Sequence, residues 1–336
     1  MPYPCFLTCA FLFSSFILNP SSFTLLLRMD QRLKLRLQLR AQPVRLGERT
    51  LVMGVVNVTP DSFSDGGRFL DAERAITHGL ELARHGADWI DVGGESTRPG
   101  AAAVSAAEEL RRVLPVVRGL HRKRPSLVIS IDTTKAEVAE AAVRAGASII
   151  NDVSGLRFDP RMAEVARRFR TGLILMHLRG APHTMQKIPF ARSVWRSIRE
   201  GLARSIERAI AAGVKRSQLV IDPGLGFGKS RRQNYEILAH LDRLHAFRLP
   251  ILVGTSRKSF VQAIVAGEGL KPSSAPRSHG QPVIDVRARH GVPLQIGDAA
   301  AVVAAILSGA HIVRVHDVAA MLSSVRIADA ILESRR

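Results

Sequence analysis

Short aliphatic runs that break off into polar turns recur along the chain. Val52 to Gly67, reading VMGVVNVTPDSFSDGG, passes from strand-forming residues through a side-chain amide into a turn of Asp, Ser, Thr, Pro and Gly. The same event closes DWIDVGGESTRPG, LVISIDTTK, SIINDVSG, LVIDPGLGFGK, ILVGTSRKS and HIVRVHD. Runs apolar on both pleat faces are buried on both sides, as in a parallel sheet under helices. They begin near Leu51, Asp88, Leu127, Ala147, Gly172, Gln218, Pro250 and Ala310. The stretches between them are helical, and strand–helix alternation calls for parallel pairing because parallel strands need long crossovers.

The helices carry their own punctuation. Asp71 to Arg84 starts on a capping Asp, lines up Ala75, Ile76, Gly79, Leu80 and Ala83, and stops at Gly86, where a left-handed residue suits glycine. Ala136 to Ala145 stops at Gly146 in the same way. Val194, Ile198, Leu202, Ile206 and Ile210 recur at helical spacing over Val194 to Ala212. Eight strand–helix units in roughly 250 residues predict a (β/α)8 TIM barrel, with an open doubly wound sheet as the alternative. A barrel places its active site on the loops after the strands, where every polar cluster falls. Upstream, Leu33 to Leu39 alternates apolar and polar residues and predicts a strand of an N-terminal β-hairpin that caps one end. Between Gly267 and Gly297, Lys, Pro, Ser, Gly and His accumulate without a period, which predicts a long irregular loop.

At 336 residues and 46% hydrophobic content the chain can bury one large core. Cys5 to Leu18 is apolar but shorter than a spanning helix and has no basic residue before it, so residues 1–28 read as an extension and the barrel as 29–336, with Met29 as an alternative start. Both cysteines lie within the first ten residues, which leaves the body without a thiol for zinc, a disulfide or nucleophilic catalysis and points to the cytoplasm. No membrane partner is expected. The net charge of +19 invites a nucleic-acid reading, but the basic residues are scattered and aromatics make up only 5%, so none is expected. The basic surplus suits an anionic small substrate. GLGFGK, residues 224–229, lacks the spacing of nucleotide-binding glycine loops and is a sharp backbone turn.

Taken in order, VVNVTPDSFSDGG, DVGGESTRPGA, ISIDTTK, IINDVSG, LMHLRGAPHTMQ, DPGLGFGK, GTSRKSF and IVRVHDV resemble the dihydropteroate synthases, enzymes of folate biosynthesis, from about Leu51 to the C-terminus. The resemblance implies a transferase that joins a dihydropterin diphosphate to 4-aminobenzoate and releases pyrophosphate. It also implies a cytoplasmic homodimer, paired through helices on the side of the barrel, that uses Mg2+ and is a sulfonamide target.

A pterin edge alternates donors and acceptors, so its pocket needs carboxylates facing N–H groups and a cation or amide facing ring nitrogen and carbonyl. Asp132, Asn151, Asp222 and Lys258 supply that set at four strand ends. Singly, each reads equally as a turn cap or ion pair; together on one rim they read as a site. By resemblance, Asp222 meets the 2-amino and N3 edge, Asn151 and Asp132 the opposite side and Lys258 the carbonyl and N5, while Met176 also belongs to the pterin pocket and Arg314 covers the pterin face as well. Arg314 and His316, alternate residues of one strand, suit the diphosphate, with Arg98 a third contact. His316 also reads as a core histidine and Arg98 as a solvated loop charge. Asn57 reads either as a turn-former or as a metal contact; magnesium riding on phosphates needs little more than one amide oxygen, and the resemblance selects that role. It further places Phe63, Thr97, Pro99 and Ser256 around 4-aminobenzoate. The resemblance makes Asp132, Lys258, Arg314, His316 and Arg98 the catalytic set. A pterin-binding methyl carrier or methyltransferase domain would keep the edge-readers but would not need SRK and RVHD, and a non-catalytic paralogue would bind pterin but ignore aminobenzoate.

Overall fold

The computed structural model describes residues 32–59, 67–96, 103–181, 184, 185, 188–267 and 292–335, without the side chains of 67–70, 292 and 293. Expectations about residues 1–28, Phe63, Thr97, Arg98 and Pro99 therefore lie outside the described residues, as does most of the loop assigned to 267–297.

A two-stranded antiparallel hairpin, β1 (Leu35–Leu37) and β2 (Val44–Leu46), precedes an eight-stranded parallel sheet. That sheet comprises β3 (Leu51–Asn57), β4 (Trp89–Gly93), β5 (Val128–Asp132), β6 (Ile149–Asp152), β7 (Gly172–Met176), β8 (Leu219–Asp222), β9 (Leu252–Gly254) and β10 (Ile312–Val315). Each begins within two residues of its expected start. The order β8-β7-β6-β5-β4-β3-β10-β9 is closed by a parallel bridge from Ile221 to Ile251, so the strands form a barrel and not an open sheet. The helices are α1 (Gly67–Arg84), α2 (Ala106–Lys123), α3 (Ala136–Ala145), α4 (Met162–Phe169), α5 (Val194–Ala211), α6 (Arg231–Ala239), α7 (Ser259–Val265), α8 (Val292–Leu307) and α9 (Val318–Glu333).

Two cores follow from strand alternation. One set of strand residues faces the helices, where Val52, Val56, Ile90, Val92, Ile129 and Ile131 pack against Val113, Val116, Val117 and Leu120. The other faces the barrel axis. There Leu51, Met53, Trp89, Ile149, Ile174, Val220, Leu252 and Ile312 meet Leu37, Leu39 and Leu46 of the hairpin, which stoppers the N-terminal end as its alternation predicts.

Three expectations are corrected. α1 begins at Gly67, so Asp71 lies inside it and is not its cap. Ile210 belongs to α5 but is 45% exposed, because the helix ends as its apolar stripe drifts off the barrel. The irregular stretch ends earlier than Gly297, since residues 292–297 are helical. Gly297 looks like a loop signal, yet a side-chain carbon there would lie 2.6 Å from Val265 Cγ2 and 3.0 Å from Val261 Cγ1. Its glycine permits close contact between α8 and α7.

Candidate active site

Parallel register brings the polar strand ends level. Asn57 pairs with Gly93, Gly93 with Asp132, and Asp132 with Asn151 across four adjacent strands. Gly93 keeps a gap in that row: a side-chain carbon there would stand 3.5 Å from Asp132 Cβ and 3.8 Å from Asn57 Oδ1. From the far side of the barrel, β8 contributes Asp222, β10 contributes Arg314, and the turn after β9 contributes Lys258.

Asp132, Asn151, Val153, Met176, Asp222, Gly224, Leu225, Phe227, Gly254, Lys258 and Arg314 line one cleft of about 400 Å3 at the C-terminal mouth. All six residues expected to read the pterin are therefore in one place. Arg314 is shared between two carboxylates, with Nε 2.7 Å from Asp91 Oδ2 and Nη2 3.0 Å from Asp132 Oδ2. Asn151 Nδ2 also donates to Asp91 Oδ2, at 3.0 Å. Lys258 Nζ lies 4.2 Å from the centroid of the Phe227 ring, a cation–π contact that steers the ammonium.

Burial tunes the titrating groups. Asp222 is pushed up to about 6 by desolvation, opposed by the Gly224 N–H it accepts at 2.6 Å and by Lys258 and Lys229. Asp132 rises to about 7, through desolvation and then the neighbouring Asp91 charge, against Arg314 and Lys258. Desolvation, helped by Arg314, lowers Lys258 to about 8, and the two aspartates resist that fall. Two acids and an amine thus sit close to neutral pH, where a hydrogen-bonding ligand edge selects their charged or neutral forms.

The floor of the cleft rests on the 224–229 turn. Gly224 has φ +69°, and a side-chain carbon there would fall 2.1 Å from His177 O. Lys229 is buried and donates to His177 O at 2.9 Å and Phe227 O at 3.1 Å, tying the loops after β7 and β8 together.

The other expected residues lie elsewhere. Asn57 ends β3 beside Gly93. Ser256 lines a neighbouring cavity with Arg257, Leu294, Gln295, Asp298, Asp317 and Met321. Its Oγ donates to Asp298 Oδ2 at 3.1 Å and lies 3.3 Å from His316 Nδ1. Asp298 also accepts from Arg257 N at 3.1 Å, fixing the turn that carries Lys258. His316 is thus placed beside the cleft and not in its lining.

Sequence reasoning missed Asp91, Phe227, Lys229 and Asp298. An acid inside the apolar strand WIDVG was a signal, because a buried charge needs a partner. Asp298 had none, lying just past a stretch read as irregular. Glu95 and Lys135 form another unforeseen anchor. Lys135 Nζ bridges Glu95 at 2.5 Å and the buried Glu109 at 2.6 Å, and Glu95 Oε1 accepts from Val104 N at 3.2 Å.

Barrel and cleft together define a pterin-binding enzyme on a TIM scaffold, and residues 53–316 match the family described as pterin binding enzyme. The dihydropteroate synthase of Synechocystis is 42% identical over 285 residues, covering 85% of this chain and 91% of the relative. A crystal structure of the Yersinia pestis dihydropteroate synthase with a sulfonamide drug is 40% identical, with a TM-score of 0.75, covering 89% of this chain and 100% of that one. The Xanthomonas albilineans dihydropteroate synthase with 4-aminobenzoic acid gives 40% identity and a TM-score of 0.75, covering 89% and 98%. The chain belongs to the dihydropteroate synthase family.

Proposed function

We propose that the protein condenses 6-hydroxymethyl-7,8-dihydropterin diphosphate with 4-aminobenzoate, giving 7,8-dihydropteroate and pyrophosphate. The observation that carries this reading is the convergence of Asp132, Asn151, Asp222, Lys258 and Arg314 on one cleft in a member of this family. Asp222 as carboxylate accepts from the 2-amino and N3 edge. Asn151 and Asp132 face the opposite side of the ring, Lys258 donates to the carbonyl and N5, and Met176 with Phe227 packs on its surface.

The C–O bond to the departing diphosphate breaks, leaving positive charge delocalised from the methylene into the dihydropterin. The neutral arylamine then attacks the methylene and releases a proton. No covalent enzyme intermediate is needed. Asp132 stabilises the developing cation, while Arg314, His316 and Arg98 neutralise the leaving anion, a preorganised electrostatic effect of the kind that usually dominates catalysis. Ser256, Phe63, Thr97 and Pro99 surround the aminobenzoate in this reading. Ser256 is held by Asp298 and His316, next to the cleft.

Magnesium fits the donor set as a substrate-borne ion. Among the described residues no group of three His, Cys, Asp or Glu could hold a metal, while Asn57 offers one amide oxygen beside the gap at Gly93. Bound there, the ion would supply charge neutralisation of the diphosphate.

We also read the protein as a cytoplasmic homodimer. Among the described residues no helix is long and apolar enough to cross a membrane. Ile327 and Ile331, one turn apart on α9, are 61% and 38% exposed and offer an apolar face for pairing. Activity is tested by pyrophosphate release from purified protein with magnesium. Release must require both substrates; absence of turnover with both present overturns the reading.

A further inference from the structure

We infer that Asp91 is a positioning residue for this reaction: from inside the barrel its carboxylate holds the Arg314 guanidinium over the cleft and turns the Asn151 amide so that its oxygen is left for the ligand. The inference rests on the proposed condensation and deepens it.

Asp91 is the middle residue of β4 and is completely buried. One of its oxygens does two jobs. Oδ2 accepts from Arg314 Nε at 2.7 Å and from Asn151 Nδ2 at 3.0 Å, so residues from β10 and β6 are tied to one atom on β4. An asparagine amide has two faces of opposite hydrogen-bonding character, and a ligand edge can distinguish them. With Nδ2 committed to Asp91, Asn151 presents Oδ1 and can accept from a ring N–H. Arg314 is likewise fixed at two points, because its Nη2 reaches Asp132. A guanidinium held by Asp132 alone could swing with that side chain; the buried second anchor removes the freedom.

The arrangement is costly as structure. Asp91 Oδ1 is buried without a hydrogen-bond partner, and so is the hydroxyl of Ser130, its register neighbour on β5. Each orphaned group is a desolvation cost with no hydrogen bond to offset it. An interior built for stability alone would fill these positions with apolar side chains.

A separate consequence concerns Asp132, which faces Asp91 on β4, Arg314 on β10, Lys258 after β9 and Glu109 on α2. The negative charge of Asp91 holds the Asp132 carboxyl up, so its removal lowers the pH at which Asp132 ionises. Asp91→Glu, which keeps that charge, separates this electrostatic effect from the positioning one.

The test is steady-state kinetics of the full-length enzyme against pH for Asp91→Asn, Arg314→Lys and the double variant. Asp91→Asn is expected to lower kcat/KM for the pterin diphosphate by about 10- to 100-fold, the loss of a hydrogen bond to a charged group, and to shift the acid limb to lower pH. The double variant should be slower than Arg314→Lys by less than the factor that Asp91→Asn costs alone, because the part of the Asp91 effect that runs through Arg314 is already lost while the part that runs through Asn151 remains. Should Asp91→Asn fail to fold, Asp91→Glu keeps the charge while its longer side chain displaces the guanidinium; kcat/KM should fall with the acid limb unmoved. Parental kinetics in the variant that folds, or full additivity in the double variant, overturns the inference. An inactive wild-type protein would instead overturn the proposed function.

Discussion

Replacing Lys258 by Met removes the ammonium while keeping a long apolar stem against Phe227 and Gly226. The magnitude follows from the site. Lys258 is desolvated in the free protein, its pKa already lowered to about 8, so the cost of burying it is met in folding and not in binding. A hydrogen bond from such a cation contributes about 1.5–3 kcal/mol, and its loss should weaken pterin binding about 10- to 150-fold at pH 7. The pH dependence is more diagnostic. In the wild type the binding-competent form has Lys258 charged and Asp222 ionised, and Asp222 is raised to about 6. Affinity should therefore be greatest between these two values. Above the upper one it should fall about tenfold per pH unit, as binding must recover a proton. Lys258→Met should lack that basic limb, so the two proteins converge at high pH. Its acid limb should move upward, because Lys258 is one of the charges that lowers Asp222. Calorimetric titration of a pterin across this range provides the assay. A basic limb that survives in the variant would refute the assignment of Lys258 as the donor.

Three further outcomes are expected. Lys258→Glu should abolish pterin binding by placing a third acid beside Asp132 and Asp222, whereas Arg98→Ala should bind pterin almost normally and turn over slowly; equal loss of binding in both would contradict the division of roles. His311 accepts from Ile251 N at 3.2 Å and lies 2.9 Å from Leu33 O, and desolvation lowers it to about 3. Its folded pKa lies below the unfolded value, so its stabilising contribution is complete above about pH 6.5 and is lost as pH falls towards 3, by about 1.4 kcal/mol per unit. The raised aspartates act with opposite sign, so the test is the difference from His311→Gln, whose urea midpoints should decline less between pH 6 and 5; parallel declines would refute it. Ile327→Glu should shift the protein from dimer to monomer in light scattering, and an unchanged mass would remove α9 from the interface.

Much of the fold was legible because buried parallel strands leave an unambiguous trace. Seven of the eight runs end in residues that have no place in an apolar layer, such as Asn57, Asp132 and Asp222, and these endings marked both strand limits and cleft. Helix ends were harder to read. Asp71 resembled a cap because capping chemistry is local, whereas α1 already begins at Gly67. Residues 292–297 were misread for a related reason: Pro293 and Gly297 are loop residues by composition, and only the close approach of α7 explains the glycine. Asp91 escaped notice because its partners lie 60 and 223 positions away in sequence. An acid inside an apolar strand signals that a partner exists but not which residue it is.

Leu37, Leu39 and Leu46 of the hairpin seal the N-terminal end of a barrel whose axis is already filled by Leu51, Met53, Trp89 and Ile149, so the cleft opens on the C-terminal side. A molecule seated at the depth of Asp222 and Lys258 cannot leave past a second one lying above it. If both ligands enter by that mouth, the deeper one is expected to bind first, which order-of-addition kinetics would check.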